Sequence, residues 1–289
     1  MEKPWGRYTF WLVGCCLFFG KPIVELIGYA LENSDASHIL LIPFIVAWLV
    51  FAERQKVLSS PLDLVAALWF VLPALLLSGI ALEKTFENLS DSLTVTTLAL
   101  VLLLIAGFVG LFGRASAKAM QFPLAFLLFL VPLPKLLLDR VIYWLQAGSA
   151  DVADVIFEWS GAPVLRQGFI FHLPKMSIEV ASECSGIRSS IALLILALLV
   201  AHFSFTKLWK KILFTSVGIF LMIVKNGIRI ATLTLLANYV NPGFLYGHLH
   251  RDGGIVFFLI GLALLWPVFW WLRKGEIGVS PSFETSTPR

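Results

Sequence analysis

"SIEVASECSGIRSSIALLILALLVAHF", residues 177–203, holds two kinds of chain in one stretch. Its start is polar and strand-like, with apolar and polar residues alternating through Ser177, Ile178, Glu179 and Val180. Its end is a continuous apolar run, Ile191 to Val200, that reads as membrane helix. Between them stand Glu183, Cys184, Ser185, Gly186 and Arg188. A membrane helix that opens on such a cluster needs a reason, and the rest of the chain supplies it.

The chain of 289 residues is 58% hydrophobic and 14% charged, where a soluble domain carries about 25% charge. Its mean hydropathy is +0.87. The apolar residues come in runs close to the roughly 20 needed to cross a bilayer, which indicates an integral membrane protein in contact with lipid. The net charge of +4 does not point to nucleic acid, because the basic residues sit mainly in short loops between apolar runs. Of the three cysteines, Cys15 and Cys16 lie inside the first run. Being adjacent, they point about 100° apart on a helix and make a poor metal pair. There is no CxxC and no His/Cys cluster, so neither a metal, nor another cofactor, nor a disulfide framework is expected. Cys184 is left alone in a polar setting, the pattern of a candidate nucleophile.

Eight spans are expected, at about 8–30, 38–52, 62–82, 92–112, 117–133, 185–204, 209–238 and 255–272, the second and fifth short. The expected fold is an all-α polytopic membrane protein, one multi-spanning domain over 1–274. A Ser/Thr/Pro-rich tail, 275–289, is expected to be disordered and cytoplasmic. The first run lacks a small-residue cleavage site and is expected to stay as a helix. Basic residues mark alternate connections: Lys3 and Arg7, Arg54 and Lys56, Arg114 and Lys118, Lys207, Lys210 and Lys211, then Arg273 and Lys274. The positive-inside rule puts these and both termini in the cytoplasm, and the long connection 134–184 outside. That insert opens on "KLLLDRVIYWLQAGSADVADVIFEWSG" (135–161), whose three-to-four spacing predicts an amphipathic helix on the membrane surface. Its second part has two alternating runs around Pro174 and Lys175, which predicts a small β-hairpin leading to Cys184.

By this topology Cys184 opens the sixth span at the outer face. A helix N-terminus carries partial positive charge and favours thiolate over thiol. Ser185 and Glu183 flank the cysteine, and Arg188 follows at i+4, one turn in. The competing reading is an inert buried cysteine. In the seventh span "LMIVKNGIRIATLTLLANYV" (221–240) carries Lys225, Asn226 and Arg229. Charge inside a span is costly unless paired or wet, so these are functional candidates, with a polar bridge between helices as the alternative. Asn226 and Arg229 share a face, and Arg229 falls in the outer half. Before the eighth span stand His248 and His250, the latter nearest the helix, where an imidazole exchanges protons near neutral pH. His172 and His202 carry no expected role. His38, at the outer start of the second span, ranks below His250. Thiol, guanidinium and imidazole thus reach one face from three spans, a set that suits acyl transfer. The pattern assigns no substrate-binding residue; His38, Lys225 and His248 are the candidates.

"ECSGIRS" (183–189), "NGIR" (226–229) and "HRDGG" (250–254) together resemble the exosortase/archaeosortase family of multi-spanning enzymes. "DASHILLIP" (35–43) is similar to an early family signature, with Ile39 in place of its usual glycine; "FLVPLPKLLLD" (129–139) and "GAPVLRQGFIFHLP" (161–174) also look like family segments. The resemblance implies a cysteine transpeptidase of the bacterial inner membrane acting on exported proteins. Such substrates end in a short motif such as Pro-Glu-Pro, a spanning helix and an Arg-rich cluster. It further implies Cys184 as nucleophile, Arg229 as charge stabiliser and His250 as general acid/base, with Arg188 in support. Two other function classes fit the bare pattern: a transporter using Lys225, Asn226 and Arg229, and an assembly protein that holds a partner helix without cutting it. No internal repeat of the transporter kind is evident.

Overall fold

A computed structural model of the protein describes residues 2–57, 61–83, 86–181, 186–245 and 254–274. The chain divides into two units, Met1–Leu138 and Asp139–Arg289.

The first unit is built on its longest helix. It contains α1 (Glu2–Phe18), α2 (Gly20–Glu32), α3 (Ile42–Glu53), α4 (Leu64–Glu83), α5 (Leu89–Ala119) and α6 (Gln121–Phe126), with 3-10 turns at Ser37–Leu40, Arg54–Lys56 and Leu127–Leu130. Helix α5 packs on α1, α2 and α4. Gly107 lets α1 in close: a Cβ there would lie 2.2 Å from Trp11 Cδ1, and the Trp11 indole N–H donates to the Leu103 carbonyl at 2.9 Å. Tyr8 meets Phe108 and Phe112 edge-on beside it. Asp63 starts α4: its Oδ1 accepts the Ala66 N–H at 2.9 Å, the N-cap bond that satisfies an orphan donor, while Arg114 holds Oδ2 at 2.8 Å. The "VPLP" segment is fastened to α5, where Asp91 accepts the Lys135 N–H at 2.7 Å and Thr94 donates to the Pro132 carbonyl at 2.9 Å.

Helix α7 (Lys135–Ser160) belongs mostly to the second unit and is the helix expected for the start of the insert. A three-stranded antiparallel sheet follows: β1 (Leu165–Gln167), β2 (Ile170–His172) and β3 (Ser177–Glu179), in the order β1-β2-β3. One hairpin was expected around Pro174; there is a second turn because Gly168, at φ +62, folds the first run back on itself, a conformation glycine adopts without strain. The sheet buries Phe171, Leu173 and Val180 against Ala150, Ala153 and Phe157 of α7 and Ile230 and Ala231 further on. Arg166 of β1 ties it down by pairing with Asp151 and Asp154, three apart on α7, at 2.7 and 3.2 Å.

The unit ends in α8 (Ile187–Ser204), α9 (Leu208–Tyr239) and α10 (Gly254–Arg273), with α9 packed on both neighbours. Contacts fix their directions. Along α8 and α9, Ser189 meets Lys225, position 197 meets 218, and Phe205 meets Phe214. Along α10 and α9, position 261 meets Lys225, Phe269 meets Phe214, and the Leu272 carbonyl accepts from Lys210 at 2.8 Å. Both neighbours therefore run antiparallel to α9.

The protein is a polytopic, mostly helical membrane protein. Among the described residues, five helices are long and apolar enough to span: α4, α5, α8, α9 and Ile255–Arg273 of α10. Counting two bent pairs, α1 with α2 and Gln121–Leu130 with Lys135–Ser160, gives up to seven. The remaining expected span, the second at 38–52, falls on α3, whose 12 residues reach only about 18 Å against a hydrocarbon core of about 30 Å. The expected first span is two helices meeting at 76°, broken where Phe19 leaves helical geometry ahead of Lys21 and Pro22.

Candidate active site

Five of the expected site residues, Glu183, Cys184, Ser185, His248 and His250, lie outside the described residues. The structure does describe the chain on both sides of each segment, and Lys225, Asn226 and Arg229 beside them.

Helix α9 is the frame. Lys225 and Asn226 are each 1% exposed, and Arg229 is half-buried. Asn226 faces α7, where its amide donates to Ser149 Oγ at 3.0 Å; Ser149 in turn donates to the Leu145 carbonyl at 2.6 Å. Small residues make this approach possible. A Cβ at Gly227 would stand 2.5 Å from Val152 and 2.9 Å from the Ser149 carbonyl oxygen, and one at Gly148 would stand 2.9 Å from Ile223. Close helix crossing through small residues, joined by polar side chains, is the packing that membrane helices favour.

Asn226 also meets α8. Gly186 is the N-cap of that helix and adopts the left-handed conformation, φ 70 and ψ 20. A Cβ there would lie 2.6 Å from Asn226 Oδ1. Backbone and space both demand glycine at the residue two after Cys184. On the next turn Lys225 donates to Ser189 Oγ, which donates to the Gly186 carbonyl at 3.0 Å. The lysine stem runs beside Gly261 of α10, with Cδ 3.6 Å from the Cβ position. Consecutive residues of α9 therefore engage the start of α8 from two sides.

The chain is equally fixed ahead of the cysteine. Val180 is 2% exposed, its N–H donates to the Phe169 carbonyl at 2.9 Å, and its carbonyl accepts from Gln146 of α7. Only five residues separate Val180 from Gly186. The antiparallel register brings the first turn of α8, the Lys225–Arg229 turn of α9 and the first turns of α10 to one end of the bundle. Arg229 lies one turn beyond Asn226, about 4.5 Å along the axis.

The other residues weighed in the sequence lie on several elements. Arg188 is exposed on the first turn of α8. His38 sits in the 3-10 turn of the first unit with its Nδ1 3.0 Å from the Asp35 carbonyl oxygen. His172 is on β2 between Ser177 and Gln167, at 2.8 and 3.3 Å. His202 is at the far end of α8. Sequence reasoning passed over Ser149, Gln146 and Ser189. The signal for Ser149 was the run Ala147-Gly148-Ser149-Ala150, a small-residue patch within a helix. No group of three or more His, Cys, Asp or Glu that could hold a metal occurs among the described residues.

A family model described as transmembrane exosortase matches residues 30–267. No curated protein and no solved structure matches the chain.

Proposed function

The chain belongs to the transmembrane exosortase family, and on that premise we propose that it is a membrane-embedded cysteine transpeptidase with Cys184 as its nucleophile. The observation that carries this reading is the seating of Gly186 on Asn226, one helical turn from Arg229. Whatever the conformation of residues 184–186, two peptide units keep the Cys184 Cα within about 7 Å of the Gly186 Cα. His250 precedes Gly254, the first residue of α10, by four residues. Thiol, guanidinium and imidazole can thus converge on one end of the bundle.

The chemistry follows from those groups. The Cys184 thiolate attacks a substrate carbonyl carbon, a C–S bond forms, and negative charge collects on the oxygen. Arg229 stabilises that charge, or the thiolate before it. The C–N bond then breaks, the imidazolium of His250 gives its proton to the leaving amine, and an acyl-enzyme remains. Water or an incoming amine releases it. Substrates in this reading are exported proteins carrying a C-terminal motif, a spanning helix and an Arg-rich tail. The reaction takes place at the outer face of the cytoplasmic (inner) membrane, with both termini inside. Residues 1–274 act as one domain and 134–184 form its extracytoplasmic insert. Arg188, Glu183 and Ser185 support the nucleophile, while His38 and His248 are left as substrate contacts to be tested. Against a transporter built on Lys225 and Asn226 stands the fact that both are buried and engaged by neighbouring helices.

The test is processing of a co-expressed tagged target. Cys184→Ala and Cys184→Ser should abolish cleavage while the protein remains in the membrane, and intact enzyme should yield a thioester-linked Cys184 peptide by mass spectrometry. Normal cleavage by Cys184→Ala sinks the proposal. Uptake by proteoliposomes that survives Cys184→Ala would favour transport instead.

A further inference from the structure

We propose that Asn226 is a positioning residue for the nucleophile, acting through Gly186; this rests on the transpeptidase reading above. The amide is held on one side by Ser149 of α7, and its Oδ1 occupies the space a side chain at 186 would need. It therefore forms the surface against which the left-handed Gly186 is seated. The other half of the clasp is Lys225, bound to Ser189 and through it to the Gly186 carbonyl.

Three features point to placement rather than to simple helix packing. Gly186 lies at the N-terminus of α8, where an added Cβ would stand 2.6 Å from Asn226 Oδ1. The chain on the other side of the cysteine is pinned independently at Val180, by α7 and by the turn before β2. And Asn226 shares its helix face with Arg229, so the residue that seats Gly186 also sets the height of that glycine against the guanidinium. A buried amide in an apolar span is costly unless it is satisfied. Here it joins α7, α8 and α9 at the one level where the chemistry is proposed. A shift of about 1 Å at a reacting group can cost about a hundredfold in rate, so a rigid seat has a kinetic consequence.

The experiment is a double-mutant cycle on the full-length enzyme in detergent or proteoliposomes, read as kcat and KM for a synthetic sorting-signal substrate. Gly186→Ala should lower kcat about a hundredfold with KM within about threefold, and Asn226→Ala about tenfold. In Gly186→Ala/Asn226→Ala the collision is gone while the left-handed strain at 186 stays, so the losses should not multiply: the double variant should lose no more than about threefold beyond Gly186→Ala alone. Ser149→Ala, which removes the α7 hydrogen bond to the amide without altering Asn226 itself, should give a smaller loss of the same kind. Every variant is first shown to be monodisperse with an unchanged unfolding temperature. A second readout is the rate of Cys184 alkylation by iodoacetamide against pH, followed on the Cys184 peptide. The profile should differ from the parent's in both Gly186→Ala and Asn226→Ala. Full multiplication of the two losses, a rise in KM with kcat intact, or an alkylation profile indifferent to both substitutions overturns the proposal. If Cys184→Ala still processes substrate, the transpeptidase reading falls, yet the alkylation profile still reports whether Asn226 seats the cysteine.

Discussion

Lys225 of α9 donates a hydrogen bond to Ser189 of α8 from a side chain that is 1% exposed. Ser189 keeps its own acceptor, the Gly186 carbonyl, whether or not the lysine is present. Removing the charge while keeping the volume therefore orphans nothing. Replacing a buried ion by an apolar group of similar size is often neutral or stabilising, so Lys225→Met should unfold in detergent at the same temperature or slightly higher. Lys225→Ala instead leaves a hole between α8, α9 and Gly261, at about 2 kcal/mol or more. A collapse of Lys225→Met in a thermal-unfolding assay would show that the ammonium itself is needed.

Gly227 and Gly28 make a matched pair. Both are helical, but a Cβ at 227 would press within 2.5 Å of Val152, while one at 28 would meet nothing within 4 Å. Gly227→Ala should cost about 1–3 kcal/mol by forcing α7 and α9 apart, and Gly28→Ala should gain up to about 1 kcal/mol through helix propensity. Detergent unfolding curves for the two variants check this, and similar behaviour would deny the close α7–α9 crossing.

How far the sequence revealed these features depended on the range of the signal. Apolar run length carried the polytopic helical fold, and it said least about breaks within a run and about helices too short to cross. Residues 8–30 are apolar enough to span but break near Phe19, and 38–52 contains a helix of only 12 residues. The polar residues of 221–240 declared themselves because charge in an apolar run is conspicuous, and Lys225 and Asn226 are indeed buried together against α8 and α7. Their partners did not declare themselves. Ser149 and Ser189 are ordinary serines in helices, and only three-dimensional packing decides which serine faces an amide 77 residues away. Gly168 hid a second turn for a local reason: a single glycine in an alternating run reads equally as strand or as turn.

Arg166 holds the sheet to α7 through two carboxylates. Each pair is partly solvent-exposed and screened, so the cost of Arg166→Ala should be modest, about 1 kcal/mol. The loss should be local. Amide exchange at Ile170, Phe171 and His172 should quicken while α8 and α9 keep their protection. Arg166→Lys should fall between, since an ammonium lacks the fork that reaches both Asp151 and Asp154. Uniform exchange across the second unit would mean that the sheet does not depend on this arginine.

Arg229 and Lys225 are four apart on α9, both cationic, yet the proposed roles differ and so do the expected variants. Lys225 is buried to 1% and bound to Ser189, a structural contact that methionine can replace in volume. Arg229 is only half-buried, one turn nearer the end of the bundle where α8 begins. A guanidinium offers a planar fork of donors to a developing oxyanion or a thiolate, and lysine keeps the charge without that geometry. Arg229→Lys should therefore fold, insert and unfold like the parent while cleaving a tagged sorting-signal substrate at least about a hundredfold more slowly, the usual cost of losing one preorganised donor. The substrate's KM should change little, because the interaction strengthens as the reaction proceeds rather than on binding. Single-turnover measurements separate the steps: a slowed acyl-enzyme burst places the loss in the attack by Cys184, and a normal burst with unchanged kcat would remove Arg229 from the chemistry.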